Sequence, residues 1–250
     1  MDQRSRQGLT SIGLMGSAFS PGQVVAYLAM CAEEQTSLQR GMNFRLRPSH
    51  SVLLMSVRPG APYEDQVSED GKTLTYEGHN VPKSEEFPEP EFVDQPLTTP
   101  KGKLTQNGQF YAAAQAYNNG EQQPERVRVY EKIRPGIWVY SGLFVLVDAW
   151  TESSGPRSVR RFRLELVNDL NGQSETDAKK TGESPGRMIP SAVKLKVWER
   201  DNGCCVQCGA KDDLHFDHII PYSKGGSSLT EENVQLLCAH HNLTKSAKII

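Results

Sequence analysis

Residues 204–245 read CCVQCGAKDDLHFDHIIPYSKGGSSLTEENVQLLCAHHNLTK. Cys205 and Cys208 form one pair with two residues between them, Cys238 and His241 form another, and 29 residues separate the pairs. Thiolates and an imidazole in two such pairs are what a tetrahedral structural zinc ion takes, and Gly209 eases the tight turn after the first pair. Cys204 would give a wider spacing and is a bystander. Four of the five cysteines fall in the last 47 residues, with Cys31 alone far upstream. A disulfide framework would spread them through the chain, so metal binding is the better reading. The interval between the pairs is longer than a zinc ribbon needs, and chemistry is expected in it.

The interval holds Asp217-His218-Ile219-Ile220-Pro221, Lys224-Gly225-Gly226 and Asn233-Val234-Gln235-Leu236-Leu237, and Asn242 to Ser246 follow the last ligand. Together with the lead-in Val197 to Gly203 this resembles the HNH nucleases of the ββα-metal superfamily over residues 189 to 248. Phosphodiester hydrolysis needs a base to activate water and a hard cation at the scissile phosphate, such as Mg²⁺ or Mn²⁺. His218, with a side chain that titrates near neutrality, suits the base. The resemblance implies Asp217 and Asn242 as ligands of the catalytic ion, and Asn233 as a residue that holds the loop or orients His218. It also implies zinc on Cys205, Cys208, Cys238 and His241. Many relatives have cysteine at the fourth zinc position, and a one-residue slip would give His240 to zinc and His241 to catalysis.

Upstream, residues 168–187 contain one leucine and otherwise mostly Asn, Gly, Ser, Thr, Glu, Asp and Lys. They read as a linker, spanning 168–188, whose length would set the distance between two domains. After it, Ser191 to Arg200 has the spacing of a short helix with Val193, Val197 and Trp198 on its apolar side. At the other end, Ser20 as cap and Pro21 at the first helical position predict a helix over Gly22 to Gly41. Residues 1–42 are thus expected to form a helical extension packed on the first domain. Between them lie β-like runs at 51–57, 73–76, 126–132, 137–150 and 159–167, several with the alternation of half-buried strands.

A chain of 250 residues with 37% hydrophobic and 23% charged residues suits two modest soluble domains. No apolar run reaches the length of a membrane span, and the N-terminus shows no signal peptide or lipid anchor, so a bacterial cytoplasmic location is expected. The net charge of −2 argues against holding nucleic acid by bulk electrostatics. Charge is nevertheless uneven: residues 63–94 carry ten acids against two lysines, and residues 126–163 carry eight basic residues against three acids.

Residues 43–167 resemble the SRA (YDG) domain, on Arg47 to Leu54, Thr75-Tyr76-Glu77-Gly78-His79, Asp94 to Thr98, Val139 to Phe144 and Val159 to Leu166. Ser141 departs from the family's Tyr-Asp-Gly. The resemblance implies a reader that flips 5-methylcytosine or 5-hydroxymethylcytosine out of double-stranded DNA, with Tyr63 and Tyr76 stacking on the base. Either Asp65 or Gln66 would meet its polar edge. Arg126, Arg128, Arg160, Arg161 and Arg163 would contact the DNA backbone.

The expected fold is α+β: a β-rich, SRA-like (PUA-like) barrel at 43–167, then a small zinc-stabilised ββα-metal domain at 189–250. The expected function is a modification-dependent restriction endonuclease, a homodimer where both strands are cut. The rivals are a noncatalytic reader of methylated DNA with a structural zinc module, and an HNH nuclease for unmodified DNA.

Overall fold

The computed structural model describes residues 18–56, 63–167, 188–221 and 224–245. Its centre is an eight-stranded mixed sheet. The strands are β1 (Val24–Ala26), β2 (Met42–Arg47), β3 (His50–Ser56), β4 (Gln66–Val67), β5 (Thr73–Glu77), β6 (Glu125–Arg134), β7 (Ile137–Ser154) and β8 (Arg157–Leu166). They lie in the order β2-β3-β6-β7-β8-β5-β4, with β1 added along β7; the β3–β6 pair is parallel and the others antiparallel. The 18-residue β7 organises the sheet, because its first part pairs with β6 and its second with β8.

Alternation along β6 sends successive side chains to opposite faces. Val127 and Val129 enter a core with Leu53, Leu74, Phe144 and Phe162, covered by helix α2 (Gln106–Asn118) through Phe110, Ala113 and Ala114. Tyr130 enters a second core with Val25, Met30, Trp138 and Tyr140, beside helix α1 (Tyr27–Glu33). Helix α2 was not expected from the sequence, because its Gln and Ala residues give little amphipathic contrast. The start is nevertheless capped by Thr105, whose hydroxyl accepts from Gly108 N at 3.1 Å.

The helix expected over 22–41 is corrected. Val24–Ala26 is strand, in register with Val139, Trp138 and Ile137, and the helix is confined to Tyr27–Glu33. Two β-branched valines gain more by extending the sheet beside β7 than by starting a helix. Residues 1–17, Val57 and the segment 168–187 lie outside the described residues.

The C-terminal part is helix α3 (Ser191–Arg200), strands β9 (Leu214–His218) and β10 (Val234–Cys238), and helix α4 (Ala239–Lys245). The two strands are antiparallel, with Asp217 opposite Gln235 and His218 opposite Val234. Helix α3 spans the expected residues and buries Val193, Lys194 and Val197. The architecture is α+β as expected. The two parts do not have separate cores, however: Ile133 and Val139 from the large sheet share one apolar cluster with Ile189, Val193, Val197, Leu214, Phe216 and Leu236. No helix among the described residues is long and apolar enough to cross a membrane.

Candidate functional site

Cys205, Cys208, Cys238 and His241 bring one donor atom each to a common point, all within 4.8 Å of one another. Cys205 and Cys208 come from the turn before β9, and Cys238 and His241 from the β10–α4 junction, so the cluster clasps the open end of the hairpin, where Leu214 faces Cys238. Cys205 Sγ lies 3.4 Å and Cys238 Sγ 3.3 Å from His241 Nδ1, and the Cys208 and Cys238 sulfurs are 3.9 Å apart. Burial, the largest influence on Cys205, raises its pKa. Backbone N–H groups of Cys238, Gln207 and Cys208, with His241, outweigh it and bring the thiol down to about 6. Three soft sulfurs and one imidazole, one thiol already poised to ionise, suit zinc. His240 is exposed outside the cluster, with its ring centroid 5.2 Å from that of His241.

Strand β9 ends in Asp217 and His218, which turn to different partners. Asp217 Oδ2 pairs with Lys245 Nζ of α4 at 2.6 Å, and the same ammonium donates to the His218 carbonyl. His218 Nε2 and Ser228 Oγ share a hydrogen bond of 2.8 Å. Asn233 is buried and ties the intervening loop: Ile220 N donates to its Oδ1 at 2.8 Å, and its Nδ2 donates to Ile220 O at 3.1 Å and Ser227 O at 2.9 Å. Gly226 is needed there, because a Cβ would stand 1.8 Å from Ile220 O. Asn242 is half-buried on α4, one turn before Lys245. Sequence reasoning missed Ser228 and Lys245. The three-residue step from Asn242 to Lys245, which puts both on one helix face, was the signal for the second.

In the large sheet, Tyr63, Asp65 and Tyr76 come together around Glu77. Glu77 N donates to Asp65 Oδ1 at 2.9 Å, and Glu64 N donates to Glu77 Oε2 at 3.0 Å. Burial, with the Glu77 carboxylate beside it, raises Asp65 to about 7, against hydrogen bonding from Glu77 N and the charge of Arg161. Gln66 is exposed on β4, so Asp65 is the inward polar group of the two. Tyr63 is half-buried and its phenol is pushed up by burial. Tyr76 is only 3% exposed, packs in the α2-side core, and donates to Leu54 O at 3.4 Å.

The arginines expected on DNA divide. Arg161 is buried, with Nη1 3.1 Å from Glu77 Oε2 and Nη2 3.0 Å from Glu64 Oε2, and Arg157 Nη2 holds Glu77 Oε1 at 2.9 Å. Arg128 is buried against Glu33 and Glu34 at 3.0 and 3.1 Å. A backbone role for Arg128 and Arg161 is therefore corrected: both neutralise internal carboxylates, whose burial without a cation would be costly. The acidic block at 63–94 and the basic block at 126–163 partly meet one another, with Glu77 opposite Arg161 in the β5–β8 register. Arg126 and Arg160 are half-buried, and Arg160 Nε donates to Gln95 O at 2.9 Å. Arg163 is exposed, 3.0 Å from Asp148.

Residues 205–248 match the HNH endonuclease family. The match spans the clasped hairpin and α4, the part that carries Asp217, His218 and the four metal-site residues. Solved structures similar to the chain include the SUVH5 SRA domain with methylated CHH DNA, at 18% identity over 64% of this chain and 94% of that one, with a TM-score of 0.43. The SUVH5 SRA domain bound to fully hydroxymethylated CG DNA shows 21% identity over 64% and 91%, at 0.40. SUVH6 from Arabidopsis thaliana, in complex with SAM, shows 20% identity over 67% and 30%, at 0.38. The comparison with curated proteins finds no match.

Proposed function

We propose that this chain is a modification-dependent DNA endonuclease, with a reader for modified cytosine at 43–167 and a nuclease unit at 189–250. The observation that carries the nuclease half is the clasped ββα unit, in which Asp217 and His218 end one strand and Asp217 pairs with Lys245 of the helix that also bears Asn242. His218 is the general base. The hydrogen bond that its Nε2 shares with Ser228 Oγ at 2.8 Å orients the ring, which takes a proton from the attacking water. Asp217 and Asn242 offer hard oxygen ligands to Mg²⁺ or Mn²⁺, which when bound neutralises phosphate charge at the scissile bond. Cys205, Cys208, Cys238 and His241 hold zinc, which fastens the unit without entering the chemistry.

For the reader half, Asp65 is the specific group. Cytosine presents an amino donor and the N3 acceptor side by side, and a neutral carboxyl group offers the matching acceptor and donor. An acid held near pH 7 supplies that neutral form at physiological pH. Tyr63 provides a flat wall for the flipped base, and Tyr76 backs the pocket. One nuclease site cuts one strand, so a double-strand break calls for two copies.

The test is cleavage of methylated, hydroxymethylated and unmodified copies of one plasmid, each with and without Mg²⁺ or Mn²⁺. Metal-dependent cutting confined to modified copies is expected. Equal cutting of all copies would replace this reading with a nuclease for plain DNA, and binding without cutting would replace it with a noncatalytic reader.

A further inference from the structure

The strand that carries Asp217 and His218 is hydrogen-bonded to the large sheet through Gly22 and its neighbour Gln23. Gly22 N donates to Tyr140 O of β7 at 2.8 Å, and Gly22 O accepts from Phe216 N of β9 at 2.9 Å. Tyr140 N returns a bond to Gln23 O at 2.9 Å, and Gln23 forms a bridge with His215. Gly22 has φ +86°, and a Cβ there would stand 2.8 Å from Phe216 O, so both the conformation and the approach require glycine.

A second fastening lies along α3. Lys194, 2% exposed, places Nζ 2.5 Å from Glu131 Oε2 of β6, where Glu131 is fully buried. Around this pair, Val193 and Val197 pack with Ile133 and Val139 of the large sheet. The segment between the two parts is also anchored at both ends. Val167 N donates to Leu143 O at 2.8 Å, and Met188 N donates to Gly71 O at 2.8 Å with its side chain in the α2-side core.

We propose that Gly22, Glu131 and Lys194 are positioning residues that hold the catalytic strand at a fixed place on the reader, so that this seam, and not the length of 168–187, sets the distance from mark to cut. The proposal rests on the reading of the chain as a reader joined to a nuclease. A buried ion pair suits this task, because it loses its partner when the surfaces separate, whereas a purely apolar contact slides at smaller cost.

The test inserts thirty Gly/Ser residues within 168–187 of the full chain. A free tether would lengthen its mean span from about 25 to about 39 Å, which is roughly four base pairs of DNA. The expected result is an unchanged spread of cut positions, with the amides of α3 to α4 sharing one rotational correlation time by NMR with those of β6 to β8. A spread widened by several base pairs, or faster tumbling of the C-terminal amides, would overturn the proposal. Gly22→Val, checked for retained zinc, is expected to widen the spread, and a zinc-loaded variant with the original spread would also overturn it. If no DNA is cut at all, the functional reading fails, and the correlation times alone decide whether the seam exists.

Discussion

Asp65 Oδ1 accepts from the backbone N–H of Glu77 at 2.9 Å, which holds a carboxyl group inward beside a second acid. That group ionises near pH 7 in the fold, raised from an ordinary value of 3.8. The folded chain thus binds more protons than the unfolded one between these values. Stability contributed by Asp65 is full below about pH 4 and is lost as pH rises through about 7. Asp65→Asn is expected to flatten the pH dependence of the melting temperature in that window. Affinity of the native chain for modified DNA is expected to fall from pH 6 to pH 8, read by titration at constant ionic strength.

Tyr63 and Tyr76 should respond differently to truncation. Tyr63→Ala is expected to weaken binding of modified DNA by about 1–3 kcal/mol with little change on unmodified DNA, since stacking is lost from a half-buried ring. Tyr76→Ala should instead lower stability by about 3–5 kcal/mol, because the ring lies in the core. Thermal melts alongside binding curves separate the two effects.

His218→Ala should reduce cleavage by about 10²- to 10⁴-fold while binding of modified DNA stays near that of the native chain. Single-turnover cutting with Mg²⁺ or Mn²⁺ checks this, and residual activity within tenfold of native would remove His218 from the base role.

Cys208→Ser should cost the C-terminal unit its metal and its fold, since a structural zinc contributes roughly 10 kcal/mol or more to a unit of this size. Metal analysis should find one zinc per native chain and much less in the variant. Absence of zinc from the native protein would refute the assignment.

Arg161→Ala and Arg163→Ala should part company. The first strips the buried Glu77 of one of its two cations and is expected to destabilise by about 3–5 kcal/mol, a drop of roughly 10 °C in melting temperature. The second lies on the surface and should leave stability near native. If Arg163 meets a phosphate, its loss should weaken all DNA sequences alike and reduce the salt slope by about 1.

By itself the sequence determined whatever depends on neighbours along the chain. Two x2 pairs of ligands make their turns locally, so the Cys205, Cys208, Cys238 and His241 cluster was legible from spacing. The span of α3 and the runs of β3, β5, β6, β7 and β8 were legible from periodicity. The tertiary structure alone decided matters settled between distant segments. Whether an arginine faces solvent or a carboxylate depends on which strand lies beside it, and so Arg161 went to Glu77 and Arg128 to Glu34. Val24 and Val25 became strand because the edge of β7 was there to receive them. Lys194, which a helical pattern alone would place at a surface, is held inside by its ion pair with the buried Glu131. Burial and charge pairing are properties of the assembled fold, and a one-dimensional pattern carries them only where the partners are close in sequence.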